Sequence, residues 1–192
     1  MARSLKKLIA AVFCLVLLFE LSSCAVNTKS AEQTGFSMGS LVGIKLYGKT
    51  SEALENANLL AEVVKTDERI SKNYEGSDIY RVNSSGEHGE TVSSETYDEL
   101  RTVCDVYSDS HGKAAVLSGA LTELWGFDTD EFRLPSEDEI LSAKEKCGDD
   151  KLIFGDGKKV YIPDGAKLNL GSAGKGIALD EAVKRIDEIN SQ

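Results

Sequence analysis

Apolar and polar positions alternate with period two from Gly35 to Tyr47, where Leu41, Gly43 and Lys45 interleave with Val42, Ile44 and Leu46, and the run stops at Gly48. That spacing predicts one strand with a single inward face. The period then lengthens: Ala57, Leu60, Ala61 and Val64 fall at i, i+3, i+4 and i+7, which predicts a helix from Ser51 to about Ser71 with an acidic outer face. A second helix begins near Ser93 or Ser94 and carries Tyr97, Leu100, Cys104 and Tyr107 on one side. A third opens on Ser136-Glu137-Asp138-Glu139, a capping box in which Ser136 and Glu139 satisfy each other's amide hydrogens. Its inner face is Ile140, Ala143 and Cys147.

Further on, Lys151 to Phe154 and Val160 to Ile162 flank Gly155-Asp156-Gly157 and predict a β-hairpin. After Pro163-Asp164-Gly165, an apolar strand, Leu168 to Leu170, runs into Gly171-Ser172-Ala173-Gly174-Lys175-Gly176 and a last helix with Ala178, Ala182, Val183, Ile186 and Ile189 inward. No repeat or low-complexity block interrupts the chain. Its length suits a single domain, and the mixture of elements predicts an α+β fold, a mixed sheet with packed helices.

The glycine-rich turn is the strongest chemical signal. Glycines let the backbone bend sharply and approach a ligand, while the N–H groups at the following helix start, with Lys175 among them, favour an anion such as phosphate. Gly171 and Gly174-Lys175 give G-x-x-G-K, but Gly176 stands where a P-loop needs Ser or Thr, so Walker-type binding is excluded.

The amino end changes the compartment. Arg3, Lys6 and Lys7 precede an apolar run from Leu8 to Phe19 and then Leu21-Ser22-Ser23-Cys24, the pattern of a secretory signal too short to span a membrane comfortably. The Leu-Ser-Ser-Cys ending resembles a bacterial lipobox, with Cys24 as the lipidated residue and several acyl chains as a stable anchor. Residues 1–23 are thus expected to be the signal, 24–34 a lipid-anchored tether and 35–192 the domain, held on the cell membrane outside the cytoplasm. The net charge is −10, and removal of residues 1–23 would deepen it, because that segment holds three cations and only Glu20 as an acid. Such a charge argues against nucleic acid as a partner. Cys104 and Cys147 read as packed, unpaired thiols, and with only His88 and His111 there is no zinc pattern.

Four segments, taken in order, resemble the FAD:protein FMN transferases of the ApbE family: Phe36-Ser37-Met38-Gly39-Ser40, the run from Ile70 to Asn83, Leu121 to Phe127, and the glycine turn. The resemblance implies an ApbE-like flavin transferase fold and a magnesium-dependent transfer of FMN from FAD to a Ser or Thr hydroxyl of an envelope flavoprotein. Carried over by position, it implies that Met38, Tyr74, Ala114, Ala115, Asn169 and Lys175 bind the flavin nucleotide and that Ser172 lies near magnesium. Asn169 stands where the family usually has Asp. Ala114, Ala115 and Leu117 stand where it has Phe, Asp and Thr.

The family's later His-containing Ile-Asp-Pro and Asp-x-x-x-Thr motifs do not occur in residues 177–192. The sequence therefore reads as the first part of such a domain, truncated at its carboxyl end, with a truncated sheet edge at Leu168–Leu170 and with weak or no activity by itself. The alternative is a non-catalytic, lipid-anchored flavin-binding protein.

Overall fold

The computed structural model describes residues 29–48, 57–127, 129 and 131–190. They belong to two units, Met1–Ala31 with Lys45–Asn56, and Glu32–Ile44 with Ala57–Gln192. What is described of the first unit is the outer end of a hairpin, where the Lys45 ammonium lies 5.5 Å from the centre of the Tyr47 ring. The expected signal, Cys24 and residues 51–56 of the first predicted helix lie outside the described residues, and Ala57 and Asn58, also expected in that helix, precede its start. Among the described residues no helix is long and apolar enough to cross a membrane.

The alternating segment is a hairpin rather than one strand. Strand β1 spans Lys29–Ser37 and β2 spans Ser40–Gly48, joined by Met38 and Gly39. The φ angles of these two residues are 52° and 66°. A two-residue hairpin turn whose twist matches its strands needs positive φ at both central positions, usually met by Asn-Gly. Met-Gly carries no such signature, so the pattern alone ran on through the turn. Residues 29–34, expected in the tether, are strand.

The second unit builds the core. Helix α1 (Leu59–Ile70) buries Leu59, Val63, Thr66 and Ile70, the stripe next to the one expected; Leu60, Ala61 and Val64 are half-buried. Helix α2 (Asp78–Ser85) starts at Ser77, whose hydroxyl accepts from the Tyr80 N–H at 2.9 Å, the usual satisfaction of an orphan amide at a helix start. Strand β3 (Glu90–Thr91) leads to helix α3 (Ser94–Asp109), capped by Ser93 as expected. Short helices α4 (Gly119–Leu124) and α5 (Glu137–Lys144) follow, the second with its capping box complete. Strands β4 (Ile153–Gly155) and β5 (Lys159–Tyr161) form the expected hairpin. Helix α6 (Gly174–Asn190) ends the described chain and packs on α1. Ala178 and Ala182 are buried there, whereas Val183 faces out.

The α+β class is as expected. Among the described residues the strands form a two-stranded and a three-stranded sheet, the latter antiparallel in the order β3-β5-β4. Ile79, Val82, Leu100, Leu117, Val160 and Leu168 are at most marginally exposed and define the centre of the core. Cys104 and Cys147 are unpaired and half-buried.

The segment Leu168–Leu170 is not a strand edge. Leu168 is fully buried, its N–H donating to Asn83 Oδ1 at 2.7 Å and its carbonyl accepting from Asn83 Nδ2 at 2.9 Å. One amide side chain takes the place of a neighbouring strand. On either side, Gly119 N–H donates to the Lys167 carbonyl at 2.8 Å and Asn169 N–H to the Val116 carbonyl at 2.8 Å. A Cβ on Gly119 would stand 2.7 Å from the Lys167 carbonyl oxygen, so this approach requires glycine.

Candidate functional site

The loop that carries Val116 is fixed from below. Asp149, fully buried, accepts from the Val116 N–H at 2.9 Å and from the Leu117 N–H at 2.6 Å. Burial raises the pKa of this carboxyl from its ordinary value, although the two backbone donors act the other way. The support then passes upward: Asp149 to Val116, Val116 to Asn169, and Asn169 to the turn that begins α6.

Asn169 has both ends of its amide engaged. Oδ1 accepts from the Gly171 N–H at 3.0 Å, and Nδ2 donates to Thr122 Oγ1 at 3.1 Å. The Thr122 hydroxyl donates in turn to the Gly119 carbonyl at 2.9 Å, which leaves its oxygen to act only as an acceptor toward Asn169. A carboxylate at position 169 has no proton to give it. This explains locally why Asn stands here.

A cleft of about 350 Å³ opens above this support. Its wall includes Met38, Asp67, Ser71, Lys72, Asn169, Gly171, Gly174 and Lys175. Three residues expected at the flavin nucleotide, Met38, Asn169 and Lys175, thus come together from positions far apart in the chain. Lys175 is exposed in the first turn of α6, which holds no acidic residue. Cation, helix start and glycine backbone together favour an anion.

The other expected residues stand elsewhere. Tyr74 is 54% exposed, in the loop between α1 and α2, outside the cleft wall. Its ring lies where a Cβ on Gly76 would meet it at 3.0 Å. Ala114 is exposed, its N–H donating to Ser110 Oγ at 3.0 Å, and the Ala115 carbonyl accepts from Ser118 Oγ at 3.1 Å. Ser172 is exposed on the tight turn Leu170–Ser172, beside the cleft but not on its wall.

Asp67 was not expected. Among the described residues it is the one carboxylate on the cleft wall, and its Oδ2 accepts from the Met38 N–H at 2.6 Å and from Ser37 Oγ at 2.9 Å. A contact across 29 positions leaves no periodic trace. Asn83 and Thr122 lay inside the recognised segments without an assigned role, and Asp149 lay outside them.

The segment between α1 and α2 is held by polar contacts. Ser77 Oγ donates to the Ser71 carbonyl at 2.5 Å, and Asp78 accepts from Ser93 Oγ at 2.6 Å. The Arg69 guanidinium grips both oxygens of Glu99, each at 2.6 Å, and donates to Thr96 Oγ1 at 2.9 Å. A two-point guanidinium–carboxylate pair orders the end of α1 against α3.

Fold and site together define an α+β domain with an anion-suited cleft at a glycine turn, and the sequence comparisons name its class. A sequence model of the ApbE family matches residues 38–191. The chain belongs to the ApbE family.

An FAD:protein FMN transferase of Haemophilus influenzae is 21% identical over 200 aligned positions, which cover 98% of this chain and 58% of that protein. Among solved structures, the ApbE protein of Thermotoga maritima superposes with a TM-score of 0.78 at 26% identity, covering 85% of this chain and 54% of that one. The flavinyl transferase ApbE of Pseudomonas stutzeri, in its apo form, gives 0.72 at 24% identity, covering 84% and 54%. The chain therefore spans little more than half the length of these relatives.

Proposed function

We propose that this chain is the flavin-nucleotide-binding part of an FAD:protein FMN transferase. Such an enzyme moves FMN from FAD to a Ser or Thr hydroxyl of a target flavoprotein. The observation that carries this reading is the meeting of Met38, Asn169 and Lys175 around the glycine turn in one cleft, within a chain of the ApbE family. About 350 Å³ is near the lower end of the roughly 300–1,000 Å³ typical of small-molecule sites, which suits one portion of a dinucleotide. The nucleotide phosphates are assigned to Lys175 and the amides of the glycine turn. The flavin ring is assigned to Met38 and to the exposed ring of Tyr74.

Magnesium, which the resemblance implies for transfer, would be held here by the nucleotide phosphates and its own waters, with Asp67 as the carboxylate within the cleft. Among the described residues no three His, Cys, Asp or Glu side chains stand close enough to hold a metal ion. The cleft's carboxylate, Asp67, already accepts two hydrogen bonds on one oxygen. Magnesium usually keeps several waters and is bound through one or two carboxylates together with substrate phosphates. Flavin binding with weak transfer is the behaviour we propose for this chain alone.

The test is a titration of the purified chain with FAD, followed by flavin fluorescence, and then incubation with FAD, magnesium and a Ser/Thr-containing acceptor peptide. Saturable quenching without a mass gain of FMN on the peptide supports the reading. Efficient FMN transfer would refute the expectation of weak activity, and a flat titration would refute flavin binding. A lipid anchor at Cys24 on the outer side of the cell membrane belongs to the same proposal. It predicts that radiolabelled palmitate enters the wild-type chain in bacteria but not Cys24→Ser.

A further inference from the structure

The turn that brings Met38 to the cleft is a conformation the residue does not favour. A non-glycine side chain at φ 52° crowds its own carbonyl, and methionine, unlike Asn, has no local polar group to offset this. The turn is nevertheless bound from outside its own hairpin. Asp67, in the last turn of α1, receives both the Met38 N–H and the Ser37 hydroxyl on the single oxygen Oδ2. Ser37 itself is buried, so this second donor is not free to turn to water instead.

We propose that Asp67 is a positioning residue for nucleotide binding, locking the Ser37–Met38–Gly39 turn so that Met38 stands on the same cleft wall as Asn169 and Lys175. This rests on the flavin-binding reading above. Its logic is one of acceptor geometry and not of charge. Both bonds end on one oxygen, so an amide oxygen in the same place retains them, whereas a methyl group loses both. A negative charge on a wall meant for phosphate opposes the ligand, so neutralising position 67 while keeping its acceptor does not harm binding.

Three proteins separate the possibilities: wild type, Asp67→Asn and Asp67→Ala, each titrated with FAD and each examined without ligand by amide hydrogen exchange of the peptide spanning residues 35–41. Asp67→Ala is expected to bind FAD about tenfold more weakly, the scale of one lost hydrogen bond, and to exchange the Met38 amide faster. Asp67→Asn is expected to protect that amide as wild type does and to bind FAD at least as tightly.

Equal behaviour of Asp67→Ala and wild type in both measurements overturns the proposal. So does an Asn variant as weak as the Ala variant, which would make the charge itself the functional element. If wild type fails to bind FAD, the flavin reading falls, while the exchange measurement still decides whether Asp67 holds the turn. Should Asp67→Ala fail to fold, Asp67→Asn alone keeps the test open, because its loss of affinity contradicts the acceptor argument.

Discussion

Asn83 is joined to Leu168 at both of the leucine's main-chain groups, accepting its N–H at 2.7 Å and donating to its carbonyl at 2.9 Å across 85 positions. Leu168 is fully buried, so these groups have no water to turn to. Removing the amide leaves a buried donor and a buried acceptor unpaired, at roughly 1–3 kcal/mol for each. Asn83→Ala is expected to lower unfolding free energy by about 2–4 kcal/mol in a urea titration. Asn83→Asp keeps the acceptor but sets a carboxylate oxygen against the Leu168 carbonyl. It should be at least as damaging at neutral pH, and partly relieved as acid protonates it.

Asn169→Asp replaces the residue by the one its family usually carries, yet the local geometry argues against any gain. The Thr122 oxygen needs a donor from position 169, because its own proton goes to the Gly119 carbonyl. The substitution is expected to cost about 1 kcal/mol of stability, the worth of an ordinary hydrogen bond, and to weaken rather than improve FAD binding by adding negative charge to the cleft. Thermal melts and a fluorescence titration of the variant check both signs.

Asp78 gives the clearest pH dependence. Burial pushes its pKa up, but hydrogen bonds from Ser93, Thr96 and Arg81 outweigh burial and hold the carboxyl below its ordinary value. A carboxyl whose folded pKa lies below its unfolded value of about 3.9 adds stability above that pH, and loses it as pH falls through the folded value. The stability advantage of wild type over Asp78→Asn is expected to be full above pH of about 5 and to shrink steadily in more acid solution. A constant difference across that range would show that the charge contributes nothing.

Lys175 separates binding from folding. Its side chain is exposed, so Lys175→Ala should leave the melting temperature unchanged. The same variant should bind FAD about tenfold more weakly, the scale of one charge-assisted phosphate contact. The effect should diminish as salt screens the cation. Isothermal titration at two ionic strengths measures it.

The thiols of Cys104 and Cys147 are expected to be slow to react. Burial, together with the Asp149 and Asp105 charges, pushes the pKa of Cys104 up to about 11, and burial raises that of Cys147 as well. The thiolate is the nucleophile, and little of it is present near neutral pH. Alkylation of Cys104 and Cys147 by iodoacetamide, read site by site, should be much slower in the native protein than in the urea-unfolded chain. Fast modification of the native protein would contradict the burial of these side chains.

By itself the sequence determined the elements whose causes are local. Ser93 and Ser136 could be read as helix starts, because a cap and its amide lie three positions apart, and the β4–β5 turn was marked by its glycines. The glycine turn before α6, and the family resemblance of its ordered segments, were equally legible. Tertiary structure decided what depends on distant partners. It turned the alternating run at Met38-Gly39, where Asp67 supplies an acceptor that no neighbouring residue offers. It made Leu168 the client of a side chain rather than the edge of a sheet, because one asparagine amide presents the same donor and acceptor as a strand. It set Met38, Asn169 and Lys175 on one cleft wall while leaving Tyr74 and Ser172 outside it. Hydrogen bonds are directional and short, so a partner 29 or 85 positions away is fixed only when the core has packed.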